Sequence, residues 1–143
     1  MTVKQITIEM PNRPGQLATI SELLGEAGIN ILALFVSTKT PGGAGLMRFV
    51  ANDPDRAEEL LRAKGYQVES QEVIAAETPH HAGGLQAFLN PLKREDINVQ
   101  YVYPCIQTGE ATILILGADD TKRAIAALQK DWIRIYGEEL YQI

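Results

Sequence analysis

The sequence predicts an α+β protein built as two copies of one βαββαβ unit, and three observations carry that expectation. Apolar residues alternate in short runs, then switch to helical spacing, in the same order twice along the chain. A shift of 68 positions, as from Glu9 to Glu77, lays the first half on the second. Each half is a module of about 70 residues, near the lower limit for an independent core, so the two are expected to lean on each other.

The elements follow in order. Val3 to Met10 alternates around Ile6 and Ile8, the period of a half-buried strand. Pro11-Asn12-Arg13-Pro14-Gly15 breaks it, with Pro14 expected in a first helical turn, where its missing N–H costs nothing. Leu17, Ile20, Leu23, Leu24 and Ala27 then share a helical face, and Gly28 ends the helix. A second strand follows Asn30, a turn is expected at Pro41-Gly42-Gly43, and Leu46 to Ala51 makes a third strand. Asp53-Pro54 caps and opens a second helix with Ala57, Leu60 and Leu61, Gly65 stops it, and Tyr66 to Glu69 is a fourth strand.

The second half reads as strands at Glu72–Thr78, Ile97–Tyr103, Ala111–Gly117 and Trp132–Tyr136. Its helices are expected from Gly83 and over Thr121–Lys130. Pro91 predicts a break in the first of these, because an interior proline costs about 3 kcal/mol. Between positions 9 and 30, seven residues recur 68 places on: Glu9, Pro11, Gly15, Leu17, Leu24, Ile29 and Asn30 match Glu77, Pro79, Gly83, Leu85, Leu92, Ile97 and Asn98. With one residue removed, Ala51, Asp53, Arg56, Ala57 and Leu61 match Ala118, Asp120, Arg123, Ala124 and Leu128. The matches include turn residues, which marks a duplication with domains at 1–70 and 71–143. Such units build a ferredoxin-like antiparallel sheet with helices on one face, and the two sheets are expected side by side.

Composition narrows the function. A formal net charge of −5 and a pI near 5.0 disfavour nucleic acid and anionic membranes as partners. No signal peptide or membrane-spanning run is evident, and the single Cys105 fits a reducing compartment, so the cytoplasm is expected. No catalytic set, P-loop or dinucleotide fingerprint is found, so neither an enzyme nor a cofactor is expected. His80-His81 lacks companions at metal-ligand spacing, so no metal site is expected. A histidine beside a ligand would titrate near neutrality and make binding there pH-sensitive. Cys105 is read as a packing residue, Gly42-Gly43-Ala44-Gly45 as a mobile hairpin, and Tyr101 and Tyr103 as sharing one sheet face. Glu9 and Glu77, recurring at strand ends, read either as loop anchors or as an acid/base pair.

The informative stretch is Asn12-Arg13-Pro14-Gly15-Gln16-Leu17. Gly15 allows close backbone approach, and the helix start offers N–H groups and a positive dipole end suited to a carboxylate. An ordinary strand-to-helix turn, with Asn12 bonding only to its own loop, fits the same residues. The run from Glu9 to Leu17, followed by Gly28-Ile29-Asn30, resembles the ACT domain family, regulatory modules of amino-acid metabolism. The first copy is especially similar to the serine-sensing ACT domain of phosphoglycerate dehydrogenase. The resemblance implies amino-acid ligands at a seam between paired domains. One site would join Asn12, Arg13, Pro14, Gly15, Gln16 and Leu17 to Asn98 and Val99. The other would join His80, His81, Gly83, Gly84 and Leu85 to Asn30 and Ile31. The second loop departs from the pattern, with His80-His81-Ala82 for Asn12-Arg13-Pro14 and Gly84 for Gln16, so its ligand would differ or be missing.

The expected function is therefore sensing of a free amino acid. A homodimer is expected, along with a separate enzyme of amino-acid metabolism as possible partner. The alternative is a regulatory subunit or interaction module whose sites have decayed.

Overall fold

A computed structural model describes residues 1–11, 13–38, 43–106 and 109–143. Asn12 and the Pro41-Gly42 part of the expected hairpin lie outside the described residues. The elements are β1 (Val3–Met10), α1 (Gln16–Glu26), β2 (Ile31–Thr38), β3 (Gly45–Ala51), α2 (Pro54–Ala63) and β4 (Gln67–Thr78). They continue as α3 (Gly84–Arg94), β5 (Val99–Pro104), β6 (Thr112–Ala118), α4 (Thr121–Lys130), β7 (Ile135–Tyr136) and a closing 3-10 turn, Glu138–Gln142. Two compact units result. One is Lys4–Gln71, and the other is Glu72–Ile143 together with Met1–Val3.

In the first unit the strand order is β2-β3-β1-β4. β3 pairs antiparallel with both β1 and β2, with Ile6 opposite Phe49 and Leu34 opposite Phe49 on the other side. The alternation read from the sequence puts Ile6, Ile8 and Met10 on the face where α1 contributes Ile20 and Leu24 and α2 contributes Ala57 and Leu61. The second unit repeats the plan. β6 pairs antiparallel with β4 and β5, and β7 pairs with β4. Ile74, Ala76, Phe88, Leu92, Leu116 and Leu128 form its core. Both units are thus βαββαβ sheets with helices packed on one face.

The duplicated polar residues hold equivalent joints. Asp53 and Asp120 cap α2 and α4, accepting from the Arg56 and Arg123 backbone N–H groups at 3.4 and 3.1 Å. The side chain of Arg56 donates to the Ala27 carbonyl at 2.7 Å, and that of Arg123 to the Glu95 carbonyl, closing the C-terminus of the preceding helix in each unit.

Several expectations change. Gly15, at φ 84, is the N-cap of α1, so Pro14 lies before the helix rather than in its first turn. The strands expected at 66–69 and 72–78 are one strand, β4; its sequence, QVESQEVIAAET, holds no glycine or proline to interrupt it. α3 runs unbroken through Pro91. The ring is buried, which offsets part of the lost bond, and Ala87, four residues back, is exposed, so its carbonyl can be hydrated. The last strand is only Ile135–Tyr136, because Trp132, at φ 61, turns the chain first.

Candidate functional site

The end of β1, the β1–α1 loop and the α2–β4 turn surround a hollow of about 530 Å³ in the first unit. Glu9, Pro11, Arg13, Gln16, Lys64, Tyr66 and Gln67 are among its lining residues. Of the loop residues singled out from sequence, Arg13 and Gln16 border this hollow. Pro14 and Gly15 are exposed, and so is Leu17, 39% accessible although it lies on a helix. Among the described residues no side chain caps the N-terminus of α1; the Thr19 hydroxyl donates to the Gly15 carbonyl at 3.0 Å.

The second unit has the matching hollow, also about 530 Å³, bordered by Glu77, Thr78, Pro79, His80, Phe88, Glu110, Asp131, Trp132 and Arg134. Gly83 repeats the left-handed start at φ 84, again without a side-chain cap. His80 faces the hollow, whereas His81 Nδ1 hydrogen-bonds the Ala82 carbonyl at 2.8 Å. Leu85 is exposed, as Leu17 is. Gly84 is buried: a Cβ there would lie 2.1 Å from the Pro79 carbonyl oxygen. The second loop therefore folds onto its own helix start, where the first loop carries a glutamine side chain.

Asn30 and Asn98 sit at the opposite end of their units from these loops. An 11-residue helix separates Asn30 from Gly15, a rise of about 16 Å at about 1.5 Å per residue. Neither unit brings its own loop to its own asparagine. Both asparagines are held by their backbones. Asn30 N–H donates to Asn52 Oδ1 at 2.9 Å, and Asn98 N–H to Asp119 Oδ1 at 3.2 Å. The Asn30 and Asn98 carbonyls accept from the Asn52 and Asp119 N–H groups. Both residues are exposed, Ile31 and Val99 half-buried, and Asn98 and Val99 border a further hollow of about 420 Å³.

Sequence reasoning missed the α2–β4 and α4–β7 turns, Lys64 to Gln67 and Asp131 to Arg134, as walls of the hollows. The signal was present: Trp132 stands where the repeat places Gly65, and a large residue in a glycine position needs a reason. Glu9 and Glu77 are half-buried and border one hollow each. Cys105 is half-buried, and burial pushes its thiol up to about 11, so it carries little thiolate at neutral pH. Tyr101 and Tyr103 stack with centroids 6.3 Å apart, on the sheet face where Tyr101 covers Gly117. Among the described residues no three His, Cys, Asp or Glu side chains converge for a metal, and no helix is long and apolar enough to cross a membrane.

Comparison with known proteins agrees with the fold. A family model described as an ACT domain pair matches residues 1–141. No curated protein matches significantly. Among solved structures, protein BT0572 from Bacteroides thetaiotaomicron superposes with a TM-score of 0.91 at 24% identity, covering 100% of this chain and 98% of that one. The regulatory subunit of aspartate kinase from Thermus flavus gives 0.63 at 16% identity, covering 90% and 92%. The ligand-free regulatory subunit from Thermus thermophilus gives 0.64 at 17%, covering 90% and 91%. At these identities the likeness is one of fold.

Proposed function

The chain belongs to the ACT domain pair family, and from that premise we propose that it is a non-catalytic sensor of a free amino acid. One observation supports the reading most: the same loop is built twice, with a strand end, a glycine at φ 84 and a helix start that no side chain caps among the described residues. A ligand carboxylate at such a helix end gains about 0.3–2 kcal/mol from the dipole. Micromolar binding needs about 8 kcal/mol, so most must come from other contacts. In the first unit Arg13 and Gln16, which border the hollow, would supply them. Asn12 and Leu17 complete that loop in the proposal, and Asn98 and Val99 would meet such a loop of a neighbouring ACT unit. The reciprocal set is His80, His81, Gly83 and Leu85 with Asn30 and Ile31. Gly84's contact with Pro79 favours a second site of altered preference or none.

The finer likeness of the first loop to a serine-sensing domain makes serine the first ligand to try. The fold neighbours named as regulatory subunits of aspartate kinase suggest an output: a separate enzyme of amino-acid metabolism, reached by a homodimer. β2 and β5 each pair on one side only among the described residues and expose Phe35, Val36 and Val102, which suits edge pairing. Light scattering on the purified chain measures that state directly.

The deciding experiment is thermal denaturation of dialysed protein with each of the twenty amino acids. At least one should raise the melting temperature, and Asn12→Ala or Asn98→Ala should abolish the rise. If none stabilises the protein, the sensor reading fails and the interaction module takes its place.

A further inference from the structure

The two hollows are built from the same positions of the repeat, yet their chemistry has diverged. Glu9, Lys64 and Gly65 of the first correspond to Glu77, Asp131 and Trp132 of the second, offsets of 68, 67 and 67. A lysine has become an aspartate, and a glycine has become the only tryptophan of the chain. We propose that the second hollow binds a small molecule carrying a protonated amine on an apolar body. The inference goes beyond the amino-acid reading, since it uses neither the uncapped amides at Gly83 nor Asn30 or Asn98.

The volume, about 530 Å³, suits a small ligand. Two carboxylates are uncommitted: half-buried Glu77 and exposed Glu110 have no hydrogen-bond or ion-pair partner of their side chains among the described residues. Of the other charged groups one is ion-paired and one, still cationic, lies over an aromatic ring. Asp131 is paired with Arg94 at 2.5 Å, and the Arg134 guanidinium carbon lies 4.4 Å from the centroid of the Tyr136 ring. The remaining titratable neighbour is exposed His80. Apolar surface comes from Trp132 at the rim and from exposed Ala87 and half-buried Ile133 in the lining. Trp132 is 94% accessible and stands at φ 61, so burial does not explain why so large a side chain occupies a turn that glycine serves in the other unit. An indole in the same lining as the Glu77 and Glu110 carboxylates makes a surface that favours an ammonium group.

Because Trp132 is the sole tryptophan, the site reports on itself. The whole chain is titrated with 2-phenylethylamine, phenylalanine and 3-phenylpropionate, which share a phenyl body and differ in charge. Trp132 emission and isothermal heat are both recorded. The amine should bind saturably and 3-phenylpropionate should not; phenylalanine tells whether a carboxylate is tolerated beside the amine. The double variant Glu77→Gln/Glu110→Gln, checked for folding by circular dichroism, should weaken the amine at least tenfold. Trp132→Phe should keep the heat and lose the emission signal. Equal binding of 3-phenylpropionate, unchanged affinity in the double variant, or no heat and no emission change up to about 10 mM ligand would overturn the proposal. The amino-acid sensor is scored separately, since its thermal shift depends on Asn12 and Asn98 and should survive Glu110→Gln.

Discussion

The two strand-to-helix loops share a backbone path and differ in what they leave open. Each places glycine at φ 84 before its helix, but half-buried Gln16 follows in the first unit and buried Gly84 in the second. In the second, the Pro79 carbonyl takes the space that any side chain would need. The turns after the helices show the reverse. The first unit uses Gly28 and Gly65 at positive φ, while the second holds Asp96 at φ 55 and Trp132 at φ 61. Glycine thus sits where the backbone is crowded, and side chains sit where glycine would be the easy choice. Duplicated units keep their joints and let go of whatever their separate surfaces do not require.

Gly84 gives the sharpest way to break that comparison. Gly84→Ala drives a Cβ into a backbone carbonyl, which must move, and should cost about 3 kcal/mol, read as a lower urea midpoint. Gln16→Ala, at the equivalent position, should stay within about 0.5 kcal/mol. Equal losses would mean that the two loops are not built differently.

The caps test what the units share. Asp53→Ala and Asp120→Ala each remove one acceptor from a helix start and should cost about 1 kcal/mol apiece. Clearly unequal losses would show that the recurring Asp-x-x-Arg joint has drifted in one copy. The left-handed turns come next. A side chain in that region costs about 1–2 kcal/mol, of which glycine's unfolded-state entropy returns about 0.5–1. Asp96→Gly and Trp132→Gly should therefore stabilise by about 0.5–1 kcal/mol, measured by thermal denaturation without ligand. A destabilising Trp132→Gly would show that the indole packs more closely than its exposure indicates.

Much of this was legible in the chain. Alternation around Ile6 and Ile8, the Asp53 cap and the Gly28 stop each have a local cause, so the elements could be read locally, and the internal repeat supplied the twice-used βαββαβ order. Pro91 misled because its cost is local while the compensation, burial of the ring, is tertiary. β4 reads as two nearly continuous strands because exposed Glu69-Ser70-Gln71-Glu72 interrupts the apolar alternation. The hollows were only half visible: Arg13, Gln16 and His80 stood in a motif, but Lys64 and Trp132 reach the same space from a turn about fifty residues away in sequence. Side chains that meet across a fold leave no spacing to read.

Acid separates the units by the smallest margin. In the first, Lys4 Nζ lies 2.5 Å from Glu58 and 2.9 Å from Asp55, and Arg62 reaches Glu58 at 2.8 Å. The hydrogen bond from Lys4, then that from Arg62, holds the Glu58 carboxyl below its ordinary 4.5. The hydrogen bond that Lys4 donates to Glu58, then that to Asp55, raises Lys4 above 10.5. In the second unit the same positions are Glu72, Lys122, Ile125 and Gln129: the Lys4 and Asp55 charges are exchanged, the other two are lost, and no ion pair joins Glu72 to Lys122 among the described residues. A carboxyl lowered by folding contributes stability that is complete above its unfolded pKa and is lost as pH falls through its folded value. A raised lysine contributes below its unfolded pKa and loses that contribution as pH climbs through its folded value. The network should therefore act across the neutral range and fade below about pH 4.5 and above about pH 10.5. Partly exposed pairs of this kind contribute about 0.5 kcal/mol. Amide hydrogen exchange followed from pH 6 to pH 3.5 should show the first unit losing protection ahead of the second, and Glu58→Gln should remove that difference. If both units lose protection together and the variant matches the parent, these charges do not distinguish the two copies.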